Sequence, residues 1–247
     1  MIKVGTIASA GYTAGELMRI LINHPCANIL FAQSASHAGE PVWKAHHDLL
    51  GETSLVFTAE APVESVDVIF LCMGHGKSRE YVESLPKSFN GKIIDLSQDY
   101  RLQETAGDFV YGLPEAFRKD IKSAYHLANP GCFATSIQLA LLPIAKVDKL
   151  PEIHVTGVTG STGAGQKPSE TTHFSWRANN MSVYKAFTHQ HLLEINETLH
   201  RLAPSYKGDL NFVPMRGDYP RGIMASVYFD CSLSEEEAVE WYKAYYK

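Results

Sequence analysis

The pattern of apolar, small and polar residues over the first 130 positions predicts a parallel sheet flanked by helices. A buried strand over residues 2–8 leads through a small-residue loop at 9–15 into a helix over 16–22 and a second strand over 28–33. Further segments follow at 66–73 (strand), 77–85 (helix), 91–97 (strand), 111–115 (turn) and 124–128 (strand). Because such βαβ units bind ligands at the carboxyl ends of their strands, the loops at these ends are the candidate sites.

Beyond residue 130 the pattern changes and predicts a second sheet with helices of its own. An apolar run over 133–144 forms a helix that Pro143 shortens or kinks, and Thr188 is a natural N-cap for a helix running to about residue 202. Other predicted segments are strands at 153–159, 210–214 and 222–230, an irregular polar stretch at 172–182, and a helix at 238–247 started by a capping box at 234–237. We therefore expect an α/β fold with a Rossmann-type parallel sheet domain at 1–130 and a second α+β domain at 131–247.

The composition is that of an ordinary globular protein and narrows the classes of partner. The 247 residues carry a net charge of -5 and a pI near 6.1, so we expect no basic surface for nucleic acid or an anionic membrane. No apolar run approaches the roughly 20 residues of a membrane span, and the first residues lack the apolar core of a signal peptide. The four cysteines are widely spaced and include no C-x-x-C pair, which favours a reduced, cytoplasmic location over a disulfide framework or structural zinc.

Cys132 is the candidate nucleophile of the chain. The turn dipeptide Pro130-Gly131 places it in the first turn of the predicted helix, where unpaired N–H groups and the helix dipole favour a thiolate. Free cysteines are also among the most buried residue types, so a filler role beside the apolar run is the alternative.

The first strand–helix connection has the character of a dinucleotide-binding turn. A G-x-x-G-x-x-G register falls on Ala8, Gly11 and Ala14, with alanine at two of three positions. A plain strand–turn–helix connection is the alternative. The candidate pyrophosphate contacts are Gly11, Tyr12, Thr13 and Ala14.

Later strand ends extend this candidate cofactor site. The strand over 28–33 is followed by Ser34 and Ser36 and not by an Asp or Glu, which favours the 2′-phosphate of NADP over the ribose hydroxyl of NAD. The turn Gly74-His75-Gly76 and Ser97 follow the next two strands and are further candidates. For His75, a plain turn residue is the alternative to a catalytic one.

Three arginines and one loop are candidate anchors for an anionic substrate. Arg101 lies just past a strand end, where its guanidinium fork suits a carboxylate or phosphate; a surface salt bridge is the alternative. Arg216 and Arg221 flank the link between two later strands and could hold an anion. The small-residue loop containing Ser161, Gly163 and Ala164 lets a backbone approach a ligand closely, with a flexible linker as the alternative.

His191 and Glu194 are three residues apart and therefore share one face of the predicted helix. A carboxylate one turn from a histidine can raise its basicity and orient it for proton transfer. The same stretch also admits a metal site formed by His189 and His191 with His173 or His200, or a solvated helix start without chemistry.

Six short stretches, taken together, resemble one enzyme family. They are residues 10–17 (AGYTAGEL), 74–78 (GHGKS), 94–101 (IDLSQDYR), 111–115 (YGLPE), 129–132 (NPGC) and 189–195 (HQHLLEI). In this order they resemble the N-acetyl-γ-glutamyl-phosphate reductases, the arginine-biosynthesis relatives of aspartate-semialdehyde dehydrogenase. The resemblance implies an NADP-binding Rossmann domain at 1–130 and a catalytic, substrate-binding domain at 131–247.

The resemblance also implies roles for individual residues. Cys132 fills the place of the family's nucleophile, His191 that of its acid–base residue, and Glu194 that of the carboxylate that orients it. In the family the arginine after the Asp-Leu-Ser strand holds the substrate, which implies this role for Arg101. Asn129, Ser161 and Arg216 are our further candidate substrate contacts. The loop with Gly163 and Ala164 would cover the nicotinamide or the phosphate. No metal is expected.

Three features depart from the family pattern. Ala8 and Ala14 stand at glycine positions of the first loop, which affects the expected pyrophosphate contacts. The loop that begins at Ser161 is one residue longer than usual and has Gln166 where the family has arginine. Members of the family also continue well past the equivalent of Lys247, so we expect this chain to be a truncated form.

The expected reaction is the NADPH-dependent reduction of an N-acyl-γ-glutamyl phosphate to the semialdehyde, with release of phosphate, through a thioester on Cys132. The expected partners are this small-molecule substrate and further copies of the chain in a dimer or tetramer, with neither nucleic acid nor membrane. The alternatives are another semialdehyde dehydrogenase of the same fold, a non-catalytic NADP-binding remnant, and a cysteine hydrolase.

Overall fold

The computed structural model describes residues 1–145 and 150–247, which group into two compact units. The N-terminal unit comprises Met1–Gly112 and Lys119–Asn129, and the C-terminal unit comprises Leu113–Arg118 and Pro130–Lys247. Each unit has a sheet and a hydrophobic core of its own.

The N-terminal unit is built on a parallel sheet. Its strands within residues 1–145 are β1 (Ile2–Ile7), β2 (Ala27–Gln33), β3 (Phe57–Thr58), β4 (Val68–Leu71), β5 (Lys92–Asp95), β6 (Phe109–Tyr111) and β7 (His126–Ala128). Their order is β3-β2-β1-β4-β5-β7-β6, and every neighbouring pair is parallel. The chain changes direction across the sheet between β1 and β4, which is where sheets of this type form a ligand crevice.

The central strands explain why the sequence pattern located this sheet. Ile69, Leu71 and Ile93 are at most 2% exposed, because parallel strands covered on both faces read as continuous apolar runs. The predicted Rossmann-type fold of the first part of the chain is therefore confirmed.

Two local expectations for this part of the chain are wrong. The helices are α1 (Tyr12–Ile22), α2 (Ser78–Ser84), α3 (Gln103–Ala106) and α4 (Pro114–Ser123). The helix α1 begins at Tyr12, so residues 12–15 are helical and not part of a loop. The segment at 111–115 is not a single turn, because Tyr111 ends β6 and Pro114 opens α4, where its fixed φ and missing N–H suit the first helical position.

The C-terminal unit contains a mixed sheet packed against helices. Within residues 113–145 and 150–247 its strands are β8 (Ile153–Thr159), β9 (Ser182–Val183), β10 (Leu210–Arg216) and β11 (Ile223–Tyr228), in the order β11-β8-β10-β9. The pair β8–β10 is parallel, and the two outer pairs are antiparallel. Its further helices are α5 (Cys132–Ala145), α6 (Phe174–Arg177), α7 (His191–Leu202) and α8 (Glu235–Tyr245). The predicted second sheet is confirmed.

The core of the C-terminal unit lies between the sheet, α5 and α7. Phe133 and Ile137 of α5, Ile195 and Leu199 of α7, and Phe212 of β10 are at most 1% exposed and belong to one cluster. The strand β8 alternates buried and half-buried residues along its whole length, as expected of a strand with one face on a core. This packing sets the distance between the first turns of α5 and α7, where the candidate catalytic residues lie.

The helix α5 continues past Pro143 to Ala145. Proline has no N–H, so it cannot donate to the carbonyl of Leu139 four residues earlier. The hydroxyl of Tyr246, just after α8, donates to that carbonyl, and the Tyr242 hydroxyl of α8 donates to the neighbouring carbonyl of Ala140. The Tyr246 hydroxyl thus supplies the hydrogen-bond donor that Pro143 lacks.

The boundaries of two other C-terminal segments differ from expectation, and one is confirmed. Thr188 is not an N-cap, because α7 begins only at His191 after Gln190. The stretch at 172–182 is not irregular throughout, since it contains α6 and the start of β9. The capping box is confirmed, with the Ser234 hydroxyl accepting from the Glu237 N–H and the Glu237 carboxylate accepting from the Ser234 N–H. In the described part of the chain, no helix has the length and apolar character needed to cross a bilayer.

Candidate active site

Cys132 is the first residue of α5, as the sequence predicts. The carbonyl of Gly131 accepts from the N–H of Thr135 at 2.8 Å, which fixes the first turn of the helix. The Cys132 side chain is exposed, which contradicts the alternative of a buried filler. Cys72 offers a contrast, because burial, together with Asp95, raises the pKa of its thiol to about 12 and keeps it protonated.

Glu194 joins the histidine to the backbone just before the nucleophile. One carboxylate oxygen accepts from the Gly131 N–H at 2.9 Å, and the other lies 3.8 Å from Nε2 of His191. All three residues are buried. The predicted pairing on one helix face is therefore present, and it extends to the start of α5.

Gly131 permits this close approach. A methyl group at its Cα would lie 2.4 Å from Nε2 of His191 and 2.7 Å from the ring carbons beside it. Any side chain at position 131 would therefore displace the imidazole. This requirement depends on the packing of α7 against the start of α5, and a Pro-Gly turn signal in the sequence does not reveal it.

His189 supports the His191 backbone from the preceding turn. Its Nδ1 accepts from the His191 N–H at 3.2 Å, and its ring packs edge-on against Phe133, Tyr184 and Phe212. Burial, followed by the nearby charges of His191 and Lys185, lowers the pKa of His189 to about 4. His189 is therefore neutral at neutral pH and serves as a hydrogen-bond acceptor.

Tyr184 and Arg216 lie close to the nucleophile, and Tyr184 is a residue that the sequence pattern did not single out. The Arg216 guanidinium carbon is 4.5 Å from the centre of the Tyr184 ring. Burial raises the pKa of Tyr184, the Arg216 charge opposes this, and Cys132 raises it further, which places all three groups in one electrostatic neighbourhood. The available signal was only its position, since Tyr184 follows directly on the two-residue strand β9 and precedes the His-x-His pair.

Arg177 is a second residue that sequence reasoning missed. It is 5% exposed, and its three nitrogens donate to the carbonyls of Thr171, Asn180 and Arg216 and to the Ser182 hydroxyl. This buried guanidinium organises the segment between α6 and β10. No sequence signal identifies it, because an arginine in a short polar stretch is usually a surface residue.

The loop after β8 lies against the segment that follows β10. The Ser161 N–H donates to the Tyr219 carbonyl at 2.9 Å, and the Thr162 hydroxyl donates to the Pro220 carbonyl. Residues Ser161–Ala164 form a turn of 3-10 helix and not an open loop. Because Thr159 and Arg216 are register partners at the ends of β8 and β10, Arg216 lies at the same edge as this turn.

The start of α1 in the N-terminal unit has the features of an anion site. Gly11 is its N-cap, no side chain caps the helix, and its first turn carries no acidic residue. The first N–H groups of α1, those of Tyr12, Thr13 and Ala14, therefore have no side-chain acceptor among residues 1–145 and 150–247. Ala8, at the end of β1, has φ of 57°, a left-handed conformation that favours glycine. Ala8, which stands where the family has glycine, thus has a strained backbone conformation in this structure.

A small polar cluster follows β2. The hydroxyls of Ser34 and Ser36 are 3.4 Å apart, and the Ser36 hydroxyl is 2.9 Å from Nδ1 of His37. None of these residues is acidic. The cluster provides donors without a negative charge, as a 2′-phosphate requires.

The candidates at the ends of β4 and β5 are held together by two carboxylates. Asp99 accepts from the N–H groups of Gly76 (2.7 Å) and Ser78 (3.0 Å) at the start of α2. The Ser97 hydroxyl donates to buried Asp95 at 2.7 Å. The N–H of Gln98 donates to Nδ1 of His75 at 3.1 Å. These contacts fix the Gly74–Gly76 turn, and its role in cofactor binding stays a prediction.

Arg101 binds backbone carbonyls at strand ends of the N-terminal unit. Its Nε donates to the Asn129 carbonyl at 2.9 Å and its Nη2 to the Leu96 carbonyl at 3.1 Å. The side chain is 7% exposed, which contradicts the alternative of a surface salt bridge. Its contact with substrate, and that of Asn129, stay predictions.

Titratable side chains do not form a metal site in the part of the chain described. Across residues 1–145 and 150–247, no group of three His, Cys, Asp or Glu side chains is arranged to hold an ion. Glu194 and His191 are instead engaged with Gly131, as described above.

Two family models match the chain. One, semialdehyde dehydrogenase, NAD binding domain, matches residues 3–124, and the other, semialdehyde dehydrogenase, dimerisation domain, matches residues 132–247. The chain belongs to the semialdehyde dehydrogenase family. Within this family, proteins named N-acetyl-gamma-glutamyl-phosphate reductase from Parabacteroides distasonis, Flavobacterium johnsoniae and Phocaeicola vulgatus are 53%, 53% and 52% identical over the whole chain, which spans 77% of each relative's length. The resemblance found in the sequence is confirmed.

Solved structures of semialdehyde dehydrogenases share the fold at low identity. Aspartate semialdehyde dehydrogenase II of Vibrio cholerae, complexed with ASA, has a TM-score of 0.75 at 15% identity and covers 98% of this chain and 78% of its own. The Candida albicans enzyme, solved with NADP, has a TM-score of 0.73 at 14% identity, with coverages of 99% and 75%. These likenesses confirm the fold class.

Proposed function

We propose that this semialdehyde dehydrogenase reduces an N-acyl-γ-glutamyl phosphate to the N-acyl-glutamate semialdehyde with NADPH, releasing phosphate, in arginine biosynthesis. The observation that carries the chemistry is the exposed Cys132 at a helix start, with His191 and Glu194 packed against the residue before it. The relatives that are about half identical over the whole chain support the substrate class, since all are named for this reaction.

Cys132 is the proposed nucleophile. Its thiolate attacks the acyl carbon, a carbon–sulfur bond forms, and the carbon–oxygen bond to phosphate breaks, which leaves a thioester. The N–H groups in the first turn of α5 stabilise the thiolate and the oxyanion that develops on the acyl oxygen. When bound, NADPH supplies the hydride that converts the thioester carbon to the aldehyde oxidation level, and the thiolate is then released.

His191 is the proposed acid–base residue and Glu194 its positioning partner. His191 delivers a proton to the oxygen that departs with phosphate or becomes negative at the acyl carbon. Glu194 lies 3.8 Å from Nε2 of His191, where its negative charge can balance the positive charge on the imidazole during proton transfer. Its bond to the Gly131 N–H keeps the imidazole beside the start of α5.

The residues of the N-terminal unit fit NADP. The uncapped start of α1, at Gly11, Tyr12, Thr13 and Ala14, suits the pyrophosphate, and the uncharged Ser34–Ser36 cluster suits the 2′-phosphate. In this proposal the Gly74–Gly76 turn, Ser97, Gly163 and Ala164 complete the cofactor contacts, and Arg101, Asn129 and Ser161 contact substrate.

A homo-oligomer, dimer or tetramer, is part of the proposal. The family model over residues 132–247 is described as a dimerisation domain, which supports self-association of the C-terminal unit. Analytical ultracentrifugation of the purified protein measures its state directly. The cytoplasmic location stays a prediction.

The test of the proposed reaction is the phosphate-dependent reduction of NADP by purified protein with a panel of semialdehydes. The panel contains N-acetyl-glutamate, N-succinyl-glutamate, unacylated glutamate and aspartate semialdehydes, because the solved neighbours named for aspartate share only the fold. We expect turnover with an N-acylated glutamate semialdehyde. Preference for aspartate semialdehyde would show a different member of the family, and thioester hydrolysis without nucleotide would show a cysteine hydrolase.

Replacing Cys132 with serine tests the covalent step. We expect kcat to fall by at least about 10³-fold, because an unactivated hydroxyl is a much weaker nucleophile than a thiolate. NADPH binding, followed by fluorescence titration, should not change. Phosphate-dependent turnover by Cys132→Ser at the wild-type rate would contradict the thioester mechanism.

A further inference from the structure

Arg216 is half-buried and differs from the buried Arg177 and Arg101 in the partners of its guanidinium. Arg177 donates from all three nitrogens to backbone carbonyls and a hydroxyl, and Arg101 donates to the carbonyls at two strand ends. Each of these two guanidinium groups thus donates to backbone carbonyls. Among residues 1–145 and 150–247 the Arg216 guanidinium donates to no backbone carbonyl and interacts instead with Tyr184, through stacking and a side-chain hydrogen bond.

The position of Arg216 is fixed by its backbone and by Tyr184. It is the last residue of β10, in register with Thr159 of β8 and Ser182 of β9, and its carbonyl accepts from Nη1 of Arg177 at 2.5 Å. Its guanidinium stacks at 4.5 Å over the Tyr184 ring. Stacking on an aromatic face leaves the N–H groups in the plane of the guanidinium for hydrogen bonds. Two parallel N–H groups of this plane match the two oxygens of a carboxylate.

The guanidinium of Arg216 is close to the catalytic residues of its own unit. Its charge lowers the pKa of both His189 and Tyr184, and Cys132 acts on the same Tyr184. Ring contacts connect the same groups, since the centre of the Tyr184 ring lies 5.7 Å from that of His189, and the His189 ring lies 4.6 Å from that of His191.

The charge of Arg216 is not compensated within the described residues. No carboxylate among residues 1–145 and 150–247 forms an ion pair with it, and its buried Nε has no hydrogen-bond acceptor there. Keeping a half-buried cation with an unfilled donor costs free energy, so such a group is typical of a site that an anion completes.

Resting on the proposed function, we infer that Arg216, stacked on Tyr184, is a specificity-determining anchor for a carboxylate of the substrate. The reacting substrate carries two kinds of anion. A guanidinium fork fits either anion, and we assign the carboxylate to Arg216 because backbone N–H groups, such as those at the start of α5, suit the phosphate that leaves beside Cys132. That carboxylate belongs either to the glutamyl α-carbon or to the N-acyl group.

The experiment compares acid and amide substrates in the wild type and in Arg216→Met, Arg216→Lys and Arg201→Met. The matched control removes another arginine of the same unit, whose guanidinium stacks 4.1 Å from the Phe117 ring outside the site. The substrates are N-acetyl-glutamate semialdehyde, its α-carboxamide, N-succinyl-glutamate semialdehyde and the terminal amide of its succinyl group. Phosphate-dependent NADP reduction gives kcat and KM, and thermal melting checks the fold.

We expect Arg216→Met to lower kcat/KM about 100-fold for the substrate whose carboxylate Arg216 binds, and to leave the matching amide within about 3-fold. Loss on N-acetyl-glutamate semialdehyde but not on its α-carboxamide identifies the α-carboxylate. Loss confined to the N-succinyl acid identifies the acyl carboxylate. Arg216→Lys should recover part of the loss, and Arg201→Met should keep the wild-type preference.

Equal loss on acids and amides, no loss at all, or a rise only in the KM for phosphate would overturn the inference. If the wild type shows no turnover with any N-acyl-glutamate semialdehyde, the proposed function fails, and the inference fails with it. Wild-type turnover together with equal loss on acid and amide overturns the inference alone.

Discussion

Glu194 holds together two groups that the reaction needs in fixed positions. With one oxygen it accepts from the Gly131 N–H, and with the other it faces His191. The negative charge lies near the positive end of the α5 dipole, where an anion is stabilised. A single buried carboxylate therefore sets both the start of the nucleophile helix and the place of the acid–base residue.

Replacing Gly131 with alanine should misplace His191. The new methyl group would lie 2.4 Å from Nε2, so the imidazole must move by about 1 Å, and such misplacements cost about 10²-fold in kcat. Steady-state kinetics with the preferred semialdehyde measures this loss. NADPH binding should stay at the wild-type level, because the candidate pyrophosphate and 2′-phosphate contacts lie in the N-terminal unit. Wild-type kcat in a stably folded Gly131→Ala protein would contradict the described geometry.

Sequence spacing predicted the residue pairs that one helix face brings together, but not those that depend on tertiary packing. His191 and Glu194 are three apart, and the helix geometry alone makes them neighbours. The bond from Gly131 to Glu194 joins residues 63 positions apart, and the contact of Arg216 with Tyr184 depends on the sheet. No local pattern contains that information.

At the scale of elements, the helix α5 depends on a residue outside it. Pro143 leaves the Leu139 carbonyl without its helical donor, and the Tyr246 hydroxyl takes that place. The end of the nucleophile helix and the end of α8 are therefore coupled by a hydrogen bond.

A double-mutant cycle on Pro143 and Tyr246 should reveal this coupling. Tyr246→Phe is expected to lower the free energy of unfolding by about 1 kcal/mol, because the Leu139 carbonyl loses its donor. In Pro143→Ala the alanine N–H restores the helical bond, so Tyr246→Phe should cost about 0.5–1 kcal/mol less there. Urea unfolding of the four proteins gives the coupling energy.

The control is Tyr245→Phe. The Tyr245 hydroxyl donates to the backbone carbonyl of Glu115 at 2.8 Å, so the loss of unfolding free energy in this variant should not depend on residue 143. Equal costs of Tyr246→Phe in both backgrounds would refute the coupling.

The bounds of elements with a clear periodicity of apolar residues were predicted well, and those of elements with a weak periodicity were not. The strand β8 occupies the predicted residues 153–159, because one of its faces is buried along its full length. The first two residues of α4 were predicted as part of a turn and the rest of the helix was not predicted, because it has few apolar positions, of which Phe117 is buried. The start of α7 was placed too early, since Thr188 has the chemistry of an N-cap but lies before the helical backbone begins.

At the scale of the whole molecule, the sequence predicted the class of fold but not the order of strands. Alternating strands and helices indicated a parallel sheet, and the sheet is present. The order β3-β2-β1-β4-β5-β7-β6, and the pairing of β8 between β10 and β11, depend on contacts between distant segments. Local sequence patterns contain little information about strand order and pairing, whereas the comparison with the family does contain it.

The pH dependence of stability should show the neutral state of His189. Its pKa is about 4 in the folded protein and near 6.5 in the unfolded chain, so between these values the unfolded chain binds more protons. Stability therefore rises with pH from about 4 to 6.5, and this group should cost about 2 kcal/mol at pH 5 relative to pH 8. Urea unfolding of wild type and His189→Asn at both pH values measures the difference. The asparagine oxygen still accepts from the His191 N–H but does not titrate, so the variant should lose less stability on acidification. Identical pH dependence of the two proteins would show that His189 is not held neutral.

The tyrosine that completes α5 also affects how the protein is made. Leu139 and Tyr246 are separated by 107 positions, so a ribosome adding about 5–20 residues per second needs roughly 5–20 s to reach the donor after the helix has emerged. During that time the nucleophile helix exists without the donor to its Leu139 carbonyl and without α8 beside it. The C-terminal unit should therefore complete its folding late in translation, well after the strands from β1 to β5 can pair.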